Sequence, residues 1–321
     1  MQHSTSSPTV AYRTRPRSFL RFDNLFRSAA LASACIVLLV LTGIIGAMIY
    51  GAIPAFHEFG LGFLTSTSWN VPKEQYGALV AIIGTLASSF IALLIGVPVS
   101  IGIAIFLTQL CPRWLKRPIA TVIELLAAVP SIIYGMWGLF VFAPLFAHYV
   151  EIPLSSLIDG LPIVGTFLYA TVPSGQGIMT AGIILAIMII PFIASIARDI
   201  LDQLPVLLRE SAFGMGCTTY EVVRHVLMPQ AAVSMIGAIM LGLGRALGET
   251  MAVTFVIGNS NRLSASIFDP GSTIASRIAN AFDEAQGMQL NSLLALGCIL
   301  FLVTFSVLIL ARVLVARVKT Y

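Results

Sequence analysis

Residues 198–231 read RDILDQLPVLLRESAFGMGCTTYEVVRHVLMPQA. Pro205 suits the first position of a helix that carries Val206, Leu207 and Glu210. Gly214 and Gly216 then interrupt the helical pattern. A second helix is expected from Thr218 or Thr219, through Glu221, Val222, Val223 and His225, as far as Pro229. Thr218 and Glu221 have the Thr-x-x-Glu spacing of a capping box, in which each side chain accepts from the other residue's backbone N–H. Two short helices joined at a glycine turn make a docking surface. Physics alone leaves its partner open.

On either side of this stretch the chain becomes apolar for about the 20 residues that cross a bilayer. These runs are 178–197 before it and 232–257 after it, and four more cover roughly 29–50, 78–107, 119–147 and 291–314. Of 321 residues, 58% are hydrophobic and 10% charged, with mean hydropathy +0.95. A soluble domain carries about 25% charged residues, so that class is excluded. The fold class is an all-α polytopic membrane protein with six transmembrane helices. Pro98 and Pro130 fall inside the two longest runs, where a helix kinks or breaks. The four cysteines and four histidines show no ligand-like spacing, and no metal site is expected.

Lysine and arginine orient the chain. With the N-terminus inside, the inner segments hold fourteen basic residues, while the outer ones hold only Lys73, Arg262 and Arg277. Both termini are therefore expected in the cytoplasm. Residues 1–28 form an N-terminal tail, in which RSFLRFDNLFRSA (17–29) suits an amphipathic helix lying in the membrane interface. The run from Ala29 is too long for a signal-peptide core and no small-residue cleavage pattern closes it, so 29–50 reads as a retained span. An outer segment over 51–72, a membrane domain over 73–314 and an inner tail over 315–321 complete the plan. The outer loops are short and turn-rich, and no separate soluble domain is expected.

Residues 242–253 read GLGRALGETMAV and place Arg245 and Glu249 inside the fifth run. A charge at the centre of a membrane helix costs about 2.5–3.5 kcal/mol on insertion scales. In a continuous helix the two residues share a face and can pair. Gly244 and Gly248 form a GxxxG step that permits close helix approach. Two readings remain open here. Arg245 meets an anion crossing the membrane, using the planar fork of donors that suits an oxyanion, or the pair only fixes helix packing.

The 198–231 stretch resembles the coupling loop of permease subunits in binding-protein-dependent ABC importers, of the form E-A-A-x3-G-x9-I-x-L-P. Here Glu210, Ser211, Ala212, Gly216, Val226, Met228 and Pro229 stand at the matching spacings. Ser211, Val226 and Met228 are conservative departures. The resemblance implies a MetI-like ABC importer permease with a cytoplasmic coupling helix. Glu210, Ala212, Gly216, Val226 and Pro229 would serve the coupling to an ATPase. Arg245-Ala246-Leu247-Gly248-Glu249 also resembles the R-A-x-G-E core of oxyanion permeases. Its continuation Thr250-Met251-Ala252-Val253-Thr254, then Ile257-Gly258-Asn259, is similar to the phosphate-specific permeases. So are FLTSTSWN (63–70), YGALVAIIGTL (76–86) and VPSIIYGMWG (129–138).

That likeness implies a substrate pathway at Arg245, Glu249 and Thr250 for inorganic phosphate. Pro130, Ser131 and Tyr134 are either a gate beside the path or a structural break in the helix. The implied partners are a PstA-like permease subunit, a PstB-like ATPase dimer, a periplasmic phosphate-binding protein and membrane lipid, with no nucleic acid. No lysine of this chain closes a phosphate loop of the form G-x-x-x-x-G-K-[ST]. No catalytic residue and no cofactor is therefore expected in it, ATP and Mg being bound by the partner ATPase. The rival readings are a sulfate or molybdate ABC permease and a secondary anion transporter driven by an ion gradient. An intramembrane enzyme lacks any nucleophile–base or metal-ligand constellation.

Overall fold

The computed structural model describes residues 17–158, 169 and 171–318. The tails 1–16 and 319–321, and 159–168 with 170 of one connection, lie outside the described residues. The chain divides into two compact units at Tyr50 and Gly51. Six helical segments are long and apolar enough to cross a membrane.

The first unit holds α1 (Arg17–Phe59) as far as Tyr50, and this helix continues unbroken from the segment expected to lie in the interface into the first span. Ile36, Val37, Leu38 and Leu39 are all more than half exposed. A helix apolar on every side suits a lipid surrounding.

The second unit is built on α2 (Leu79–Ile105) and α5 (Ile178–Asp202). Small residues let them approach: a Cβ on Gly96 would meet Ile189 at 3.0 Å, and one on Gly182 would meet Ile91 at 2.6 Å. Ser100 Oγ donates within its own helix to Gly96 O (2.6 Å) and across to Ile190 O (3.1 Å). Pro98 stays inside α2 without ending it. Ile184, Leu185, Met188, Ile189 and Ile193 of α5 form the centre of the core.

The third expected span is divided in two. α3 (Arg113–Ala128) ends where Val129 turns extended (ψ 130°), and α4 (Ser131–Trp137) starts after Pro130. Proline has no N–H to give and pushes its predecessor out of helical geometry. Beyond α4 the helical path continues through π turns at Gly138–Phe142 and Ala147–Glu151.

The 198–231 stretch folds as α6 (Val206–Gly214), a turn with Gly216 at φ +88°, and a second helix capped by Thr218. Thr218 N donates to Glu221 Oε2 at 2.8 Å, completing the capping box. The second helix does not stop at Pro229. A π turn over Val222–Leu227 widens it just ahead of the proline, and α7 (Met228–Gly248) carries on. The result is one helical segment from Thr219 to Gly248.

At Glu249 the chain becomes extended (φ −70°, ψ 125°), then α8 (Met251–Val256) resumes. Two buried acids hold the connection that leads into α5. Glu151 Oε2 accepts from Gly175 N at 2.9 Å, and Asp269 Oδ1 accepts from Thr171 N at 2.9 Å. Gly175 has φ +74°, and a Cβ there would run into the Ala143 carbonyl.

The 258–287 connection holds a helix that its turn-rich sequence did not announce, α9 (Ile274–Ala281), and α10 (Met288–Val318) closes the fold. Ile274 N donates to Thr85 Oγ1 at 2.9 Å, pinning the start of α9 to α2. Arg277 of α9 is 6% exposed and lies over Trp69, 4.8 Å from the ring centroid, with Ser272 accepting from its guanidinium. No carboxylate pairs with it among the described residues, and burial pushes its pKa down to about 10. Exchange for a long apolar side chain removes that desolvation cost. Arg277→Met is therefore expected to stay within about 1 kcal/mol of the parent, whereas Arg277→Asp loses about 3 kcal/mol or more. Thermal unfolding of the purified protein in detergent measures both, and equal losses would contradict this account.

Candidate functional site

The two half-helices that follow the breaks pack against each other. A Cβ on Gly135 of α4 would meet Ala252 Cα of α8 at 2.9 Å, and one on Gly138 would meet Val256 at 2.8 Å. Their breaks, at Val129–Pro130 and Glu249–Thr250, each free backbone groups that a continuous helix would pair. Tyr134 bridges the first one: its hydroxyl donates to Leu126 O at 2.9 Å. Ser131, half-buried, opens α4. At the second break Thr250 Oγ1 donates to Gly248 O at 3.3 Å.

Arg245 is half-buried near the end of α7. Its guanidinium carbon lies 5.6 Å from the centroid of the Phe192 ring, within cation–π range. Its Nε is buried and unpartnered among the described residues. Glu249 does not pair with it. The helix ends one residue earlier, so Glu249 leaves the face that i,i+4 spacing assumes, and its Oε1 accepts from Ala252 N at 3.4 Å. Gly244 and Gly248 have open space where a Cβ would stand, and among the described residues no helix uses that step for close approach. Gly242 does, against Ile193. Beside Gly244, a groove of about 970 Å³ runs between α7 and α10, lined by Gly237, Leu241, Phe305 and Ile309.

An arginine with a free donor, a broken helix and an apolar surround can hold an oxyanion without a second charge. Phe192 under Arg245 was not visible in the sequence. It lies 53 positions away, on another helix, and no spacing rule links the two.

The 206–229 surface is a separate feature. Leu207 (71% exposed), Met215 (78%), Val206, Phe213 and Tyr220 stand outward from it. Glu210, Gly216 and Pro229 are exposed as well. Ala212 is buried with Ala197, Leu201, Val222 and Leu227, and Val226 packs against the same cluster. The five residues therefore divide into three on the surface and two that seat it on the membrane helices. Lys116–Asp202 (3.0 Å) and Arg198–Glu124 (2.9 Å) join α3 to α5 at the end nearest this surface.

Residues 96–320 match the family described as "Binding-protein-dependent transport system inner membrane component". The chain is 51% identical to the "Phosphate transport system permease protein PstC" of Pasteurella multocida, covering 92% of each chain. It is 50% identical to the protein of that name in Haemophilus influenzae, over 92% of this chain and 94% of that one. A bacterial alginate ABC transporter solved with an alginate pentasaccharide-bound periplasmic protein shares the fold, with TM-score 0.57 and 15% identity. It covers 95% of this chain and 98% of that one. The inward-facing MetNI methionine ABC transporter gives TM-score 0.54 at 19% identity, over 74% and 94%.

Proposed function

We propose a mechanism from the premise that this chain belongs to the family of binding-protein-dependent transport system inner membrane components. It is the permease subunit of an ABC phosphate importer, a multi-pass protein of the inner membrane. The observation that carries the substrate is about 50% identity over more than nine-tenths of the chain to phosphate permeases. As a permease of this kind it works with an ATPase and a substrate-binding protein. The finer assembly we propose is a PstA-like second permease, a PstB-like ATPase dimer and a periplasmic phosphate-binding protein. The fourteen-to-three bias of basic residues supports cytoplasmic termini and a cytoplasmic 206–229 surface.

ATP and Mg bind to the ATPase, whose closure pushes on α6 through the exposed Leu207, Phe213 and Met215. The second helix transmits that push along Thr219–Gly248 to Arg245. Phosphate released from the binding protein meets the guanidinium, held over Phe192, and passes on because a single cation binds it weakly. Glu249 shapes the break rather than neutralising Arg245.

Proteoliposomes holding this chain with the three partner components test the reading. ATP-dependent uptake of radiolabelled phosphate is expected, unaffected by excess sulfate or molybdate. Uptake driven by an ion gradient without ATPase would overturn it, and so would competition by sulfate.

A further inference from the structure

We propose that the groove between α7 and α10 holds an anionic phospholipid, with an acyl chain along its apolar walls and the headgroup phosphate on the Arg312 guanidinium. The proposal goes beyond phosphate transport and uses only the placement of the helices in a membrane.

The walls suit hydrocarbon. Leu241 of α7 and Phe305 and Ile309 of α10 border a space of about 970 Å³. Gly237 and Gly244 keep the α7 wall smooth, since nothing lies within 4 Å of a Cβ built on either. The lining on α7 runs from Val233 to Gly244, about 16 Å at helical rise. That is the depth of one leaflet, half of a hydrocarbon core about 30 Å thick.

One end of the groove is made for an anion. Among the described residues that line it, Arg312 carries the only charge. α7 begins beside the 206–229 surface and α10 runs out towards the 315–321 tail, so Val233 and Arg312 mark the same end. Arg312 is exposed and has no ion-pair partner among the described residues. Ser234 lines that end too, exposed and without a hydrogen-bond partner among the described residues. A guanidinium fork and a hydroxyl, both with donors to spare, match a phosphodiester. The fourteen-to-three basic bias supports a cytoplasmic position for this end. The leaflet on that side is the anionic one, and basic pockets between helices there take its headgroups. A zwitterionic lipid brings its own cation, which competes with Arg312 for the phosphate. A helix of another protein covers the apolar walls but leaves the arginine unanswered. An anionic lipid satisfies both walls and charge.

The assembled transporter, in phosphatidylcholine vesicles with a minor share of phosphatidylglycerol, tests this. The phosphatidylglycerol carries a photoreactive diazirine in its acyl chain. Both leaflets have the same composition, so the result is independent of the side that the groove faces. After illumination, labelled peptides are expected within 233–244 and 305–312. Unlabelled phosphatidylglycerol should displace the label, and the same amount of added phosphatidylcholine should not. Arg312→Gln is expected to lower labelling of the groove by about fivefold, with labelling of the lipid-exposed α1 unchanged. Gly237→Phe fills the groove and is expected to lower it as well. Equal labelling of the groove by a phosphatidylcholine probe, or labelling indifferent to Arg312→Gln, overturns the proposal. So does a photocrosslink from α7 to the partner permease in place of lipid, which makes the groove a protein interface. Phosphate uptake plays no part in this readout, so failure of the transport reading and failure of the lipid site are told apart.

Discussion

Arg245→Gln is expected to lose phosphate uptake by about 100-fold or more, while the variant still assembles with its partners and the ATPase still binds. Glutamine keeps much of the volume and one amide donor but removes the charge and the fork. Arg245 has no ion-pair partner among the described residues, and its Nε is buried without an acceptor. Removing it strands no carboxylate. Loss of an ion-paired arginine usually damages folding by leaving the partner charge buried; that penalty is absent here. The variant therefore separates transport from stability. Uptake of phosphate per assembled complex is the measurement, with Arg245→Lys as a graded control that keeps charge and loses geometry. Wild-type uptake by the Gln variant would remove Arg245 from the path. Loss of the assembled complex would return it to a packing role.

Gly216→Asp is expected to uncouple the subunit. Nothing lies within 4 Å of a Cβ built at Gly216, so the substitution meets no steric wall. Its cost is conformational: φ is +88°, and an ordinary L-residue held in the left-handed region pays about 1–2 kcal/mol. The turn relaxes instead, and α6 shifts away from the helix that begins at Thr219. Transport is expected to fall by about tenfold or more, with reduced copurification of the ATPase, while the permease stays in the membrane. Asparagine visits the left-handed region more readily, so Gly216→Asn should retain more activity than Gly216→Asp. Normal ATPase binding together with normal transport in the Asp variant would remove Gly216 from the coupling role.

Much of this fold is written in local chemistry. The Thr218–Glu221 capping box formed as spaced, because both of its bonds lie within three residues. The apolar runs are legible for a similar reason, since crossing a bilayer fixes length and composition together. Proline was a less certain guide. Pro130 ends a helix, whereas Pro98 rides inside one and Pro229 is absorbed by a π turn. Those outcomes depend on whether neighbours can satisfy the freed carbonyl, and neighbours are tertiary. The break at Glu249–Thr250 carries no proline at all, so periodicity ran straight through it and assigned Arg245 and Glu249 to one face. Phe192 beneath Arg245 and Trp69 beneath Arg277 are likewise products of packing between distant segments. The candidate site was thus legible in its residues and not in their pairing.

The segment from Thr219 to Gly248 has thirty residues, about 45 Å at helical rise. One end carries the exposed 206–229 surface and the other carries Arg245. A rod of that kind conveys angle as faithfully as displacement, since each residue adds about 100° of turn. The π turn at Val222–Leu227 sits close to the docking end, where one residue more or less resets the azimuth of everything beyond it. On the proposed coupling, a partner docked at Tyr220 would set the compass bearing of Arg245. Seen as a drive shaft, the helix would tie the proposed coupling to rotational phase.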